Sequence, residues 1–63
     1  MNYKIRGAET RKVFEGIRNA GKPISIAEIR KTTDVNYNTI RGAVQRLLKM
    51  GLIRRVSRGV YEA

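Results

Sequence analysis

The chain has 63 residues, a formal net charge of +9, and neither cysteine nor histidine. This length suits one small domain over residues 1–63 with a thin core, so we expect a homodimer to add stability. The composition excludes disulfides and argues against a zinc site or a His- or Cys-dependent enzyme. The sequence contains no apolar run of membrane-spanning length. We therefore expect no enzyme activity, no cofactor, no metal and no membrane partner, in a cytoplasmic protein.

The positive charge is concentrated in the second half of the chain. The first 29 residues contain six basic and three acidic residues, whereas Asp34 is the only acid between Arg30 and Arg58, among eight basic residues. A pI near 11.0 is typical of a nucleic-acid-binding protein. A solvated cationic surface and attraction to acidic lipids are the alternative interpretations of the charge alone.

The first helix is predicted over Ala8–Ala20. Before it, residues 1–7 are an arm, a helix extension or a short strand, and the pattern leaves these open. Apolar residues at 13, 14 and 17 share one helical face, while Gly21 and Pro23 end the helix. We expect Phe14, like Tyr61 near the C-terminus, to pack in the core.

A short strand, a second helix and a turn are predicted next. Residues 23–25 are too few for an independent strand but can add a third strand to a later hairpin. Ser25 and Glu28 have the spacing of a capping box, which starts a helix that ends near Thr32 or Thr33. Asp34 then suits a left-handed turn, and Val35 is predicted to enter the core.

The third helix is predicted from a cap at Asn36 to Met50, with Gly51 after its end. Its buried stripe consists of Ile40, Ala43, Val44, Leu47 and Leu48. A hairpin follows, with strands over residues 52–56 and 60–63 around a turn at 57–59. The predicted fold class is α+β, a three-helix bundle with a small C-terminal antiparallel β-hairpin.

These elements, in this order and spacing, resemble the winged helix-turn-helix superfamily of transcriptional regulators. The segments 24–29 and 33–40 resemble the start of its second helix, its turn and the start of its recognition helix. The segment 47–55 is similar to the helix end and wing start of GntR-like and MarR-like regulators. The segment 57–61 is similar to a GntR wing tip that is one residue shorter. The chain departs from the pattern where Arg30 replaces a small residue and Asp34 replaces the turn glycine.

The resemblance implies that helix 36–50 lies in the major groove and that the wing, 54–61, contacts an adjacent groove or the backbone. The residues expected at base edges are Tyr37, Asn38, Arg41, Gly42 and Gln45. Those expected at phosphates are Thr39, Arg46 and Lys49, with Arg30 and Thr32 from the second helix. The wing would contribute Arg54, Arg55, Arg58 and Gly59. For Gly42, close approach to the duplex and relief of crowding against another helix are both open.

The expected function is therefore sequence-specific binding of double-stranded DNA by a small transcription regulator, with repression favoured over activation. Asn, Arg and Gln on one helix face suit the edges of bases, which favours specific over nonspecific binding. The alternatives are a nonspecific or architectural nucleic-acid binder and a winged-helix module that binds proteins. We see no site for a small-molecule effector and expect the protein to be associated with DNA.

Overall fold

The computed structural model describes Ile5 and residues 7–63, which contain three helices and one antiparallel sheet. The helices are α1 (Ala8–Ala20), α2 (Ile26–Thr33) and α3 (Tyr37–Lys49), and the strands are β1 (Ile24–Ser25), β2 (Arg54–Ser57) and β3 (Val60–Glu62). The predicted α+β class and the C-terminal hairpin are confirmed. Most of the arm or extension suggested for residues 1–7 lies outside the described residues.

Helix α1 has the predicted bounds because its end is specified locally. Gly21 adopts a left-handed conformation with φ 64°, and its amide donates to the carbonyl of Arg18 at 3.3 Å. Val13, Phe14 and Ile17 are buried on one face. The predicted apolar stripe is thus the face that packs against the other two helices.

Helix α2 begins with the capping box expected from its sequence. The Oγ of Ser25 accepts from the amide of Glu28 at 3.2 Å, and Oε1 of Glu28 accepts from the amide of Ser25 at 3.2 Å. The helix ends at Thr33, after which Asp34 has φ 57° and Val35 is buried. The predictions for the turn are therefore confirmed.

Helix α3 is capped at both ends. The Oδ1 of Asn36 accepts from the amide of Asn38 at 2.8 Å. At the other end Gly51, with φ 74°, donates to the carbonyl of Leu48, and Leu52 donates to the carbonyl of Leu47, both at 3.1 Å. This pair of bonds is a Schellman motif.

The Schellman motif corrects one predicted boundary. We expect β2 to start at Leu52, but the strand starts at Arg54. The amide of Leu52 already closes the end of α3, so residues 52 and 53 bend away from the helix before pairing begins. The observed strand therefore begins two residues later than predicted.

The sheet has the order β1-β3-β2, so the short first strand pairs with the last one. Ile24 lies opposite Tyr61, which confirms the third strand suggested for residues 23–25. In the hairpin, which we define as residues 54–62, Arg55 also lies opposite Tyr61 and Ser57 opposite Val60. The intervening Val56 has no partner on β3 and forms a bulge.

The core lies between the three helices and one face of the sheet. Its buried side chains come from every element except β2, and they include the aromatic rings of Phe14 and Tyr61, as predicted. Helices α1 and α2 come close at Gly16, where an added Cβ atom would lie 2.8 Å from Cγ2 of Thr33. No helix in the described part of the chain is both long and apolar enough to cross a membrane.

Candidate nucleic-acid interface

The solvent side of α3 presents a row of polar side chains. Asn38, Gly42, Gln45 and Lys49 follow one another at spacings of four, three and four, so they share the helix face opposite the buried stripe. The three side chains are exposed and Gly42 is half-buried. No acidic residue occurs in α3. This face can offer amide donors and acceptors together with positive charge.

The edge of this face nearest α2 contains a contact between two predicted site residues. The guanidinium carbon of Arg41 lies 5.9 Å from the centroid of the Tyr37 ring. Tyr37 is 47% exposed, so this cation–π contact lies at the surface. A ring at this distance attracts the guanidinium and narrows the range of positions that it samples.

A cleft joins the same edge to α2. Its lining consists of Ala27, Arg30, Lys31, Asp34 and Tyr37. Arg30 is exposed, as an expected phosphate contact must be, and Lys31 beside it is exposed too. The positive surface therefore continues from α3 across the turn onto α2, interrupted by the carboxylate of Asp34.

The opposite edge of the α3 face meets the start of α1. Thr39 and Arg46, seven residues apart on one line of the helix, form a second cleft together with residues 7–10. Thr39 is half-buried and Arg46 is exposed. These two residues therefore lie on the other flank of the face from Arg41, so two of the predicted phosphate contacts are separated from the Tyr37–Arg41 pair.

The tip of the hairpin is fixed to the beginning of α2. The carbonyl of Gly59 accepts from the amide of Ile26 at 3.1 Å, and Gly59 has φ 72°. Arg58 occupies the preceding position of the turn and is exposed. The turn is thus held beside α2, and Arg58 projects from a defined site on the surface.

The bulge decides which hairpin arginine is neutralised. With Val56 unpaired, Arg54 lies opposite Glu62 and donates from Nε to Oε2 at 2.9 Å and from its Nη2 to the same oxygen. Within the described chain Arg55 and Arg58 form no ion pair. The predicted interface therefore has two free arginines in the hairpin, and the charge of the third is compensated.

No family model, curated protein or solved structure matches the chain. The predicted site residues fall into three groups. The first is on α3, the second comprises Arg30 and Thr32 on α2, and the third is the exposed part of the hairpin. The candidate interface as a whole consists of the exposed face of α3, the α2 cleft and the hairpin tip.

Sequence reasoning did not assign Lys31 to the interface. The signal available was its spacing of four from Ala27, which puts both on the solvent side of α2, next to the turn that leads into α3.

The sequence also leaves the role of Gly42 open. A Cβ atom on Gly42 would meet no described atom within 4 Å beyond its own helix backbone and chain neighbours. Crowding against another helix is therefore not the reason for this glycine.

Proposed function

We propose that the protein is a winged helix-turn-helix domain that binds double-stranded DNA and reads its sequence with α3. The observation that carries the proposal is the exposed face of α3, where Asn38, Arg41 and Gln45 surround Gly42 and no acid is present. An α-helix fits the major groove, and this groove distinguishes all four base pairs. The hairpin would act as the wing.

The chemistry of the three side chains suits direct readout. Asn38 and Gln45 can each bind an adenine edge in a bidentate manner, and Arg41 can do the same at a guanine. Arg41 is held beside the ring of Tyr37, so part of its conformational entropy is lost before DNA binds. The remaining α3 residues of the face would then orient the helix on the duplex and add to the affinity for DNA.

Phosphate contacts would come from the exposed cations of α2, α3 and the hairpin. They are Arg30, Lys31, Arg46, Lys49, Arg55 and Arg58, all of them exposed. Such contacts fix the register of a protein on the duplex and supply affinity that falls with salt. A small transcription regulator that blocks an operator needs both a fixed register and sufficient affinity. We propose repression by occupancy of the operator as its mode of action.

Selection of bound duplexes from a random pool tests this function. We expect an enriched motif, and a palindromic motif would support a two-fold homodimer. Arg41→Ala should weaken binding to the selected duplex by about 1–3 kcal/mol and relax the preference at one base pair. Lys49→Ala should weaken all duplexes to a similar extent. Binding without enrichment, with a steep salt slope, would instead identify an architectural protein.

A further inference from the structure

Gly42 is the one glycine whose presence the described fold does not require. Of the six glycines in the chain, four have a positive φ, and Gly16 has no space for a Cβ atom because of Thr33. Gly42 has a helical conformation and open space where a Cβ atom would lie. Glycine in the middle of a helix lowers its stability relative to alanine. The chain therefore tolerates this loss for a reason outside its own described structure.

The neighbours of Gly42 indicate what approaches it. Asn38 lies one turn before it and Gln45 one turn after it on the same exposed line. The asparagine side chain is short, so its amide reaches a base edge only when the helix backbone itself lies deep in the groove. A methyl group at residue 42 would stand between these two amides and hold the helix away.

We propose that Gly42 is the point of closest approach between α3 and the base edges of a DNA duplex, and thereby a determinant of specificity. The inference rests on the proposed function and deepens it. It predicts that the short amide of Asn38 depends on Gly42, whereas the long side chains at the border of the face reach phosphates in either case.

A second copy of the chain is the other partner that a bare helix surface could admit. The charges disfavour it, because Arg41, Arg46 and Lys49 are exposed on α3 and no acid on this helix could pair with them. Two such faces would repel each other, whereas a polyanion is attracted to each. The duplex is therefore the occupant that the surface fits.

The test compares Gly42→Ala with Asn19→Ala, an exposed, uncharged position in α1 outside the interface. We expect Gly42→Ala to raise Tm by roughly 4–8 °C. The same variant should bind the selected duplex about tenfold more weakly, as for the loss of one base contact. Gly42→Leu, which keeps a good helix former, should bind more weakly still. Asn19→Ala should leave affinity unchanged.

A double-mutant cycle ties the effect to Asn38. Asn38→Ala should weaken binding of the selected duplex by the original protein but have little further effect in the Gly42→Ala background. A lower Tm for Gly42→Ala, or unchanged affinity in a protein that binds DNA specifically, would overturn the inference and leave the proposed function intact. Loss of self-association in sedimentation of Gly42→Ala would overturn it in favour of a second copy. Absence of any duplex binding by the original chain would overturn both.

Discussion

Arg54 and Glu62 face each other across the hairpin only because Val56 is bulged. A regular register through the Ser57–Val60 pair would place Glu62 opposite Arg55 instead. The bulge moves the carboxylate to Arg54, which is 77% exposed in its side chain, and leaves Arg55 opposite Tyr61. One extra residue in β2 thus selects which of the two arginines pairs with Glu62.

Glu62→Gln should strengthen DNA binding. The variant removes the carboxylate that neutralises Arg54 and adds one available positive charge to the hairpin. We expect the slope of log K against log salt to become steeper by about 0.9, the value for one further phosphate contact. Tm should fall by no more than roughly 4–8 °C because an exposed ion pair contributes about 0–1 kcal/mol. Fluorescence anisotropy over a salt series measures the slope.

Glu15→Gln, at an exposed position of α1, is the matched control because it makes the same change in net charge. It should alter the slope less than Glu62→Gln. Arg54→Ala should cost more affinity in the Glu62→Gln background than in the original chain. Equal costs in both backgrounds would show that the carboxylate does not restrain Arg54.

Tyr37 is expected to act on DNA binding through Arg41. Tyr37→Leu removes the ring that the guanidinium lies over and should weaken binding by about 0.5–1 kcal/mol, the range for an exposed cation–π contact. Tyr37→Phe keeps the ring and should bind like the original protein. In the Arg41→Ala background, Tyr37→Leu should have no further effect. A loss with Tyr37→Phe would instead assign the role to the hydroxyl group.

Asp34→Asn should raise both stability and affinity. Asparagine tolerates the left-handed conformation at this position. The variant also removes a negative charge from the C-terminus of α2, and this removal should stabilise the fold by about 0.3–1 kcal/mol. The carboxylate also lies in the cleft beside Arg30 and Lys31, where it would repel a phosphate. Thermal unfolding and duplex titration measure the two effects.

Asp34→Ala separates charge from backbone conformation. It removes the same carboxylate but should lower stability, because the cost of a positive φ for alanine, about 1–2 kcal/mol, exceeds the gain of about 0.3–1 kcal/mol from removing the charge. Its affinity for DNA, measured well below Tm, should still rise. If affinity rises for neither variant, the α2 cleft is outside the interface.

Gly16→Ala should destabilise the fold by about 1–3 kcal/mol through overpacking, since its Cβ atom would lie 2.8 Å from Cγ2 of Thr33. Thr33→Ser removes that methyl group and keeps the hydroxyl that donates to the carbonyl of Ile29 at 2.6 Å. The double variant should therefore recover most of the loss in urea unfolding. An additive loss in the double variant would contradict this explanation.

The sequence predicts the helices well because their ends are encoded locally. The side chains of Ser25, Glu28 and Asn36 bond to backbone amides within three residues of themselves. The left-handed conformations of Gly21 and Gly51 end α1 and α3. The hairpin register is different. It depends on where pairing starts after the Schellman motif and on the bulge at Val56, neither of which follows from residue alternation. For this reason the sequence places Arg54 and Arg55 on different faces but does not identify which one Glu62 neutralises.

In the candidate site, too, some features follow from local sequence and others only from packing. Helical periodicity is enough to align Asn38, Gln45 and Lys49 on one face. The α2 cleft that adds Lys31 and the open space at Gly42 depend on how the helices pack, so only the three-dimensional structure shows them. The sequence therefore locates the centre of the proposed interface, and packing defines its borders.

The most direct test of duplex recognition by α3 is a titration of the isotope-labelled protein with the selected duplex, followed by NMR amide shifts. If α3 reads the duplex, the largest changes occur at Asn38, Arg41, Gly42 and Gln45, with a second group at Arg58. The exposed side of α1, at Glu15 and Asn19, should change little. Largest changes on that side of α1, or changes spread evenly over all exposed cations, would contradict recognition by α3.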